Sequence, residues 1–246
     1  MDPIYASRYR ELYEKHWWWR AREEKLCDEL ERYLAGTSAK SILDVGCGDG
    51  LFFNRLRQFG NAEGVEPAAD LVNPNGPNRA RITVAPFDQS FQPRRKYDLI
   101  LMLDVLEHLD APEEAMRHAL SLLESDGLLF ITVPAFRLLW TNHDRLNEHR
   151  TRFTKASFTR LAISAGVKIV ALRYFFFWLF PVKLAARIAE AILGRRPRIP
   201  RLPPSRINRF LYGLSRAEEK FGRSLSLNIP FGSSLLIVGR RGSGKT

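Results

Sequence analysis

Short apolar runs alternate with amphipathic stretches along most of this chain. Residues 4–34 are rich in Glu, Arg and Leu and predict helix, with Trp17, Trp18 and Trp19 in its middle and Gly36 at its end. A short apolar strand is expected at 41–45, then a glycine-rich turn, then a helix at 51–59 with one apolar face. Further strands are expected at 62–65, 81–85 and 97–103, the last apolar enough to be buried on both faces. Pro112 opens a helix to 123, with acids in its first turn, and Asp126-Gly127 turns the chain into a strand at 128–133. Residues 135–154 are polar and aromatic and read as a loop. A helix at 155–165 ends at Gly166, and a strand follows at 167–172. Residues 174–223 break the alternation with an aromatic run, an amphipathic Ala/Arg/Leu stretch, a Pro/Arg linker at 195–204 and another helix. The last strand is expected at 234–238. Strands alternating with helices predict an α/β fold, a mostly parallel sheet covered on both faces.

A hydrophobic share of 45% and a charged share of 26% allow a core of ordinary size. The net charge of +11 is concentrated, since residues 183–223 carry 11 Lys/Arg against 3 Asp/Glu. Such a stretch suits an anionic membrane surface, an acidic ligand or nucleic acid. Without an aromatic RNA-binding signature or zinc-finger spacing, nucleic acid is the disfavoured partner. Cys27 and Cys47 sit in no disulfide framework or metal-ligand spacing. No signal peptide is read at the start, and the apolar run at 174–182 falls short of the ~20 residues a spanning helix needs. The expected location is cytoplasmic, with peripheral contact at the inner membrane face left open.

Candidate chemistry begins at Asp44-Val45-Gly46-Cys47-Gly48-Asp49-Gly50. A buried strand runs into a turn whose glycines let a ligand approach the backbone closely, and the next helix offers free N–H groups. Glycines of this spacing also serve tight turns that bind nothing. Glu66 changes the balance: it ends the next strand, 20 residues after Gly46, where a carboxylate can accept both hydroxyls of a ribose.

These motifs, with Val65-Glu66-Pro67, Phe87-Asp88-Gln89-Ser90-Phe91 and the run from Tyr97 to Leu109, resemble the class I S-adenosyl-L-methionine-dependent methyltransferases. They are similar in particular to the bacterial methyltransferase type 11/12/23 group. A dinucleotide oxidoreductase would show a different glycine spacing and is the weaker reading. The resemblance implies a Rossmann-like seven-stranded doubly wound sheet with an antiparallel last strand and helical cap elements. It implies a cap at 1–36, a cofactor domain at 37–173, a basic and aromatic helical insertion at 174–230, and the final strand and tail of the same domain at 231–246. It also implies that Asp44, Gly46, Cys47, Gly48 and Gly50 line the methionine and ribose of S-adenosyl-L-methionine, that Glu66 binds the ribose, that Asp88 lies by the adenine amine, and that Leu103 and Asp104 face the methyl end. The His16-to-Arg22 leader caps the pocket or simply packs on the domain.

Asp104, Glu107 and His108 are three metal-capable side chains within five residues. Related quinone-pathway O-methyltransferases carry a similar pattern and can use a divalent ion there, but the same residues recur where no metal is used, so none is assigned. The 140–154 loop follows the fifth strand and overlies the acceptor side. In it, His143 or His149 can deprotonate an acceptor, and Arg150 and Arg152 can hold its phosphate or carboxylate. These four can equally pin the loop internally. The aromatic run from Tyr174 to Phe180, with Arg187, Arg195, Arg196, Arg198 and Arg201, suits an anionic bilayer or, alternatively, a helical lid. The terminal Gly239-to-Thr246 sequence matches a phosphate-binding loop, but without a following helix it reads as a basic tail. The function expected is methyl transfer to O or N of a small-molecule or lipid-linked acceptor. A non-catalytic, membrane-associated module that kept the cofactor pocket is the alternative.

Overall fold

The computed structural model describes residues 3–34, 39, 41–194, 200–224 and 229–242. Gly36, Arg195, Arg196, Arg198 and residues 243–246 lie outside them.

Seven strands form one sheet: β1 (Ser41–Val45), β2 (Asn61–Glu66), β3 (Ile82–Val84), β4 (Tyr97–Leu103), β5 (Leu123–Pro134), β6 (Val167–Phe175) and β7 (Ser234–Arg241). Their order is β3-β2-β1-β4-β5-β7-β6. β1 to β5 run parallel, and β7 is antiparallel to both of its neighbours. The apolar runs at 41–45, 97–103 and 128–133 occupy the sheet centre because both of their faces are covered. On one face Ile100, Met102, Leu129 and Ile131 pack under α4 (Pro112–Leu122) and α6 (Lys155–Ala165). On the other, Leu99, Leu101, Phe130 and Val238 meet Leu26 and Leu30 of α2 (Trp17–Leu34).

Several elements differ from the sequence expectation. The N-terminal helix is two, α1 (Pro3–Lys15) and α2. The break falls at His16 and is held from far along the chain: Asn208 accepts from Trp17 N–H (2.8 Å) and donates to the Lys15 carbonyl (2.8 Å). The helix after the glycine turn is only α3 (Phe53–Leu56), and the turn closes on the fold itself, with Gly46 N–H bonded to the Val65 carbonyl (2.8 Å) and Gly50 N–H to the Cys47 carbonyl (3.0 Å). β5 begins early, with exposed Glu124, Ser125 and Asp126 bulging out between the partners of Tyr97 and Leu99. The 135–154 segment holds a short helix, α5 (Asn142–Leu146), started by a reciprocal capping box between Thr141 and Asp144. Gly239, Arg240 and Arg241 of the would-be phosphate loop continue β7.

Of the two helices of the 174–223 segment, α8 (Ser205–Ser224) lies against α2 and α7 (Leu179–Leu193) against the turn at Arg137–Leu139. Arg216 pairs with Asp28 (2.7 Å), and Arg20 lies over the Tyr212 ring. The aromatic run packs inward: Phe175, Phe176 and Leu179 are buried, Trp178 meets Trp17 and Phe180 meets Phe136. Those rings are cap packing and not a membrane-facing surface. Among the described residues no helix is long and apolar enough to cross a membrane.

Candidate active site

A cavity of about 820 Å³ opens at the carboxyl ends of the parallel strands, where open α/β sheets place their ligands. Its wall is drawn from both helical caps, the glycine turn, the end of β4, and α5 with the turn that follows it.

The glycine turn forms the first side. Gly46 (φ +69°) and Gly48 (φ +53°) hold left-handed conformations that side chains disfavour. A Cβ on Gly46 would lie 2.8 Å from Val105 Cγ2, whereas one on Gly48 would meet open space. Gly48 N–H donates to Glu66 Oε2 and Ala68 N–H to Oε1, both at 2.9 Å. These bonds fix the carboxylate in the wall and leave lone pairs for a ligand. Burial pushes the Glu66 carboxyl up, and the two backbone bonds oppose it.

Asp104 ends β4 with φ +59°, a conformation uncommon outside glycine. Three contacts hold it there. Its N–H donates to the Thr132 carbonyl (2.9 Å), Thr132 Oγ1 donates to it (3.0 Å), and Arg22 pairs with it at 2.8 Å. Arg22 also donates to Thr132 Oγ1 (2.9 Å), so α2 is tied to the ends of two strands.

The opposite side is built on buried Asp144. Its Oδ1 accepts from Arg152 Nε (2.7 Å) and His149 Nδ1 (2.8 Å), and its Oδ2 from Arg152 Nη2 (3.0 Å) and Thr141 N–H (2.8 Å). Burial alone would raise this carboxyl, but the bonds from His149 and Arg152 outweigh it and hold it well below the usual range. His149 turns Nδ1 to this carboxylate, and its Nε2 lies 4.0 Å from Glu107 Oε1. The His108 ring stands edge-on to it, centroids 4.9 Å apart. Burial pushes both His108 and His143 down to about 4, with His149 adding to the first and Lys183 to the second. Both rings are therefore uncharged at neutral pH. Glu107 is fully buried, and among the described residues neither of its oxygens has a hydrogen-bond partner. Ligand atoms of Glu107, His108 and His149 lie within 4.8 Å of one another.

Of the expected cofactor residues, Gly46, Cys47, Gly48, Glu66, Leu103 and Asp104 line the cavity. Asp44 and Gly50 lie behind the wall. Burial raises the Asp44 carboxyl to about 7 against the pull of Arg22, and Gly50 is wedged between Phe53 and Asn78. Asp88 is exposed and turned back on the Ser90 N–H (2.8 Å), while its neighbour Phe87 reaches the wall. Both histidines, His143 and His149, line the cavity. The two arginines do not. Arg152 is spent on Asp144 and the Ala135 carbonyl, and Arg150 faces outward to Asp110 and the His108 carbonyl. The expectation that they hold the acceptor is corrected, because a buried carboxylate claims the first and a surface pair the second. His16, Trp17, Trp18, Trp19 and Arg22 of the expected leader line the cavity, whereas Asn147 and Lys183 were not foreseen as wall residues. Lys183 is a single ammonium in an apolar helix, and burial lowers its pKa to about 8.

Residues 18–172 match the methyltransferase-domain family. The chain belongs to that family, the class of S-adenosylmethionine-dependent methyltransferases that the sheet order and glycine turn define. Relatives carry a narrower name. A ubiquinone biosynthesis O-methyltransferase of Glaesserella parasuis is 32% identical over 39% of this chain and 46% of its own length. Another, from Cupriavidus pinatubonensis, is 22% identical over 70% of this chain and 80% of its own. This chain spans roughly half the length of the first such relatives it matches. Among solved structures, an S-adenosylmethionine-dependent methyltransferase of Archaeoglobus fulgidus superposes with TM-score 0.55 at 16% identity, covering 88% of this chain and 93% of that one. An N-methyltransferase of Burkholderia thailandensis with bound S-adenosylhomocysteine gives 0.52 at 16%, covering 88% and 76%. At such identities the solved structures speak to the fold alone. Neither an oxidoreductase nor a non-catalytic membrane module finds support among them.

Proposed function

We propose that this protein transfers a methyl group from S-adenosylmethionine to an oxygen or nitrogen of a small-molecule acceptor held in the 820 Å³ cavity. One observation carries the reading: a single cavity joins the glycine turn and Glu66 to the Asp144-oriented His149. The names of the relatives favour oxygen.

The residues present fit the cofactor. Gly48 leaves open space where a side chain would stand, and Glu66 keeps acceptor capacity for ribose hydroxyls. Bound there, the cofactor supplies a sulfonium methyl already activated for displacement. The chain's own work is then orientation and one proton. His149 Nε2 removes the acceptor proton, and Asp144 holds the ring and stabilises the imidazolium that results. His143 contributes a neutral polar edge. The two helical caps keep water out. Proton removal of this kind supplies about 10²–10⁴ in rate.

The orphaned Glu107 oxygens favour a second form of the same reading. Glu107, His108 and His149 make a carboxylate-and-imidazole set suited to a divalent ion such as zinc or manganese, with Asp144 bracing His149 from behind. An ion there would lower the pKa of an acceptor hydroxyl. Here Asp104 is taken by Arg22, so His149 stands in its place beside Glu107 and His108, two of the three metal-capable residues to which the sequence assigned no metal.

A lipid-linked acceptor reached from an anionic membrane is the finer proposal, together with a cytoplasmic location. Beyond the buried rings, α7 and α8 expose Val182, Ile188, Ile192, Ile207 and Phe210, with Arg201, Arg206 and Arg209 beside the last two. Apolar side chains flanked by cations suit an anionic bilayer. Flotation with anionic but not neutral vesicles is expected, and equal flotation with both rules the surface out. For the reaction itself, labelled S-adenosylmethionine incubated with a cell extract should pass label into an organic-soluble or small-molecule fraction. Loss of transfer in His149→Gln with cofactor affinity kept is the companion result; full activity in that variant removes His149 as the base.

A further inference from the structure

Three cations enter the cavity wall: Arg10, Arg22 and Lys183. Arg10 pairs with Asp49 and Arg22 with Asp104. Behind the wall, Arg152 is satisfied by Asp144. Among the described residues Lys183 alone of the three has neither a hydrogen bond nor an ion pair. It lies one helical turn beyond buried Leu179, so both point from the same face of α7 into the cavity. Its same-face helical neighbours are Leu179, Phe180, Ala186 and Arg187, and Arg187 is turned to the Trp140 carbonyl (2.9 Å). A half-buried ammonium with no hydrogen bond or close ion pair among the described residues, its acids Asp144 and Asp104 acting only from a distance, is unfavourable to the free fold. The charge is explained by a ligand that brings the missing anion.

We propose that Lys183 holds an anionic oxygen of the methyl acceptor, which makes the acceptor a carboxylate, a phosphate or an ionised phenol. The assignment rests on the cavity being the acceptor site of a methyltransferase. Position favours the acceptor over the cofactor. Lys183 belongs with His143 and His149, while the cofactor side is built from Gly48 and Glu66. It also takes over the role expected of Arg150 and Arg152, which the fold uses elsewhere.

The test is binding to the full chain saturated with S-adenosylhomocysteine, read by ligand-observed NMR, with benzoate, phenyl phosphate, 4-nitrophenolate and neutral benzyl alcohol as probes. At least one anionic probe should bind roughly tenfold or more tighter than benzyl alcohol, the scale of one charged hydrogen bond. Lys183→Met should erase that margin without weakening benzyl alcohol, and Lys183→Arg should retain it. Which anion shows the margin separates carboxylate, phosphate and phenolate sources. Equal binding of charged and neutral probes, binding of none at millimolar concentration, or a margin that survives Lys183→Met overturns the proposal. So does a loss of S-adenosylhomocysteine affinity in Lys183→Met, which would move the lysine to the cofactor. These readouts need no turnover, so failure of the methyltransferase reading appears separately, as absence of label transfer.

Discussion

Replacing Asp144 by asparagine tests the buried ion pair and the proposed base together. The carboxylate is fully buried and takes five bonds from Arg152, His149 and Thr141, while the Arg152 side chain is almost wholly enclosed. Removing one charge leaves the guanidinium buried without its partner, which costs about 3–5 kcal/mol. For a chain of this size about 2–4 °C of Tm is lost per kcal/mol, so Tm should fall by roughly 6–20 °C. The pH sign follows from the depressed carboxyl. Its stabilisation is present above the unfolded value of about 3.9 and is lost as pH falls through the folded value, so the gap between wild type and variant should narrow on acidification. The amide also turns the His149 tautomer over, because an NH₂ group facing Nδ1 drives the ring proton to Nε2 and disables the base. The rate should drop by about 10²–10⁴ even where the variant is folded. Thermal unfolding across pH and single-turnover methyl transfer measure the two effects. A Tm within about 3 °C of wild type would refute the pair's energetic role, and an unchanged rate would refute that of His149.

Gly48→Ala should keep most of the stability, losing about 1–2 kcal/mol to its left-handed backbone, yet weaken S-adenosylhomocysteine binding far more, because its Cβ points into ligand space. Gly46→Val, which sequence alone would take as a clean cofactor-site block, should also lower Tm markedly, since its branched side chain meets Val105 at 2.8 Å; an unchanged Tm would show that the strand end relaxes freely. Burial raises Glu218, which caps the Phe177 and Trp178 N–H groups, to about 7, so the stability of its protonated form fades as pH climbs from about 4.5 through 7. The Tm of Glu218→Gln relative to wild type should therefore rise between about pH 5 and pH 8, and a constant difference would contradict the shift. If a divalent ion sits on Glu107, His108 and His149, a chelator should abolish transfer and zinc or manganese restore it, while indifference to chelation leaves the metal-free base as the mechanism.

The sheet was readable in the sequence because buried parallel strands are continuous apolar runs, and the glycine turn and Glu66 were readable because their spacing is local. The largest failures are long-range. The break at His16 depends on Asn208, 191 residues from the Trp17 it caps. Arg152 carries the right chemistry for an acceptor, but a residue type does not reveal which way a side chain turns, and buried Asp144 had the stronger claim. Asp88 failed on a smaller scale, turned outward by the N–H of Ser90. Lys183 left one faint signal, a charge set among apolar residues of a helical stretch, and became significant only when the fold showed that it makes no hydrogen bond or close ion pair among the described residues.

The strand order also governs when this protein can become itself during synthesis. β6 joins the sheet through β7 alone, and β7 is drawn from far later in the chain. Until it emerges, β5 and β6 each present an open hydrogen-bonding edge, and the apolar side chains of β6 have no neighbouring strand. Folding must therefore close with the insertion of a central strand, a non-local step that is intrinsically slow and leaves a nascent chain prone to edge-to-edge association.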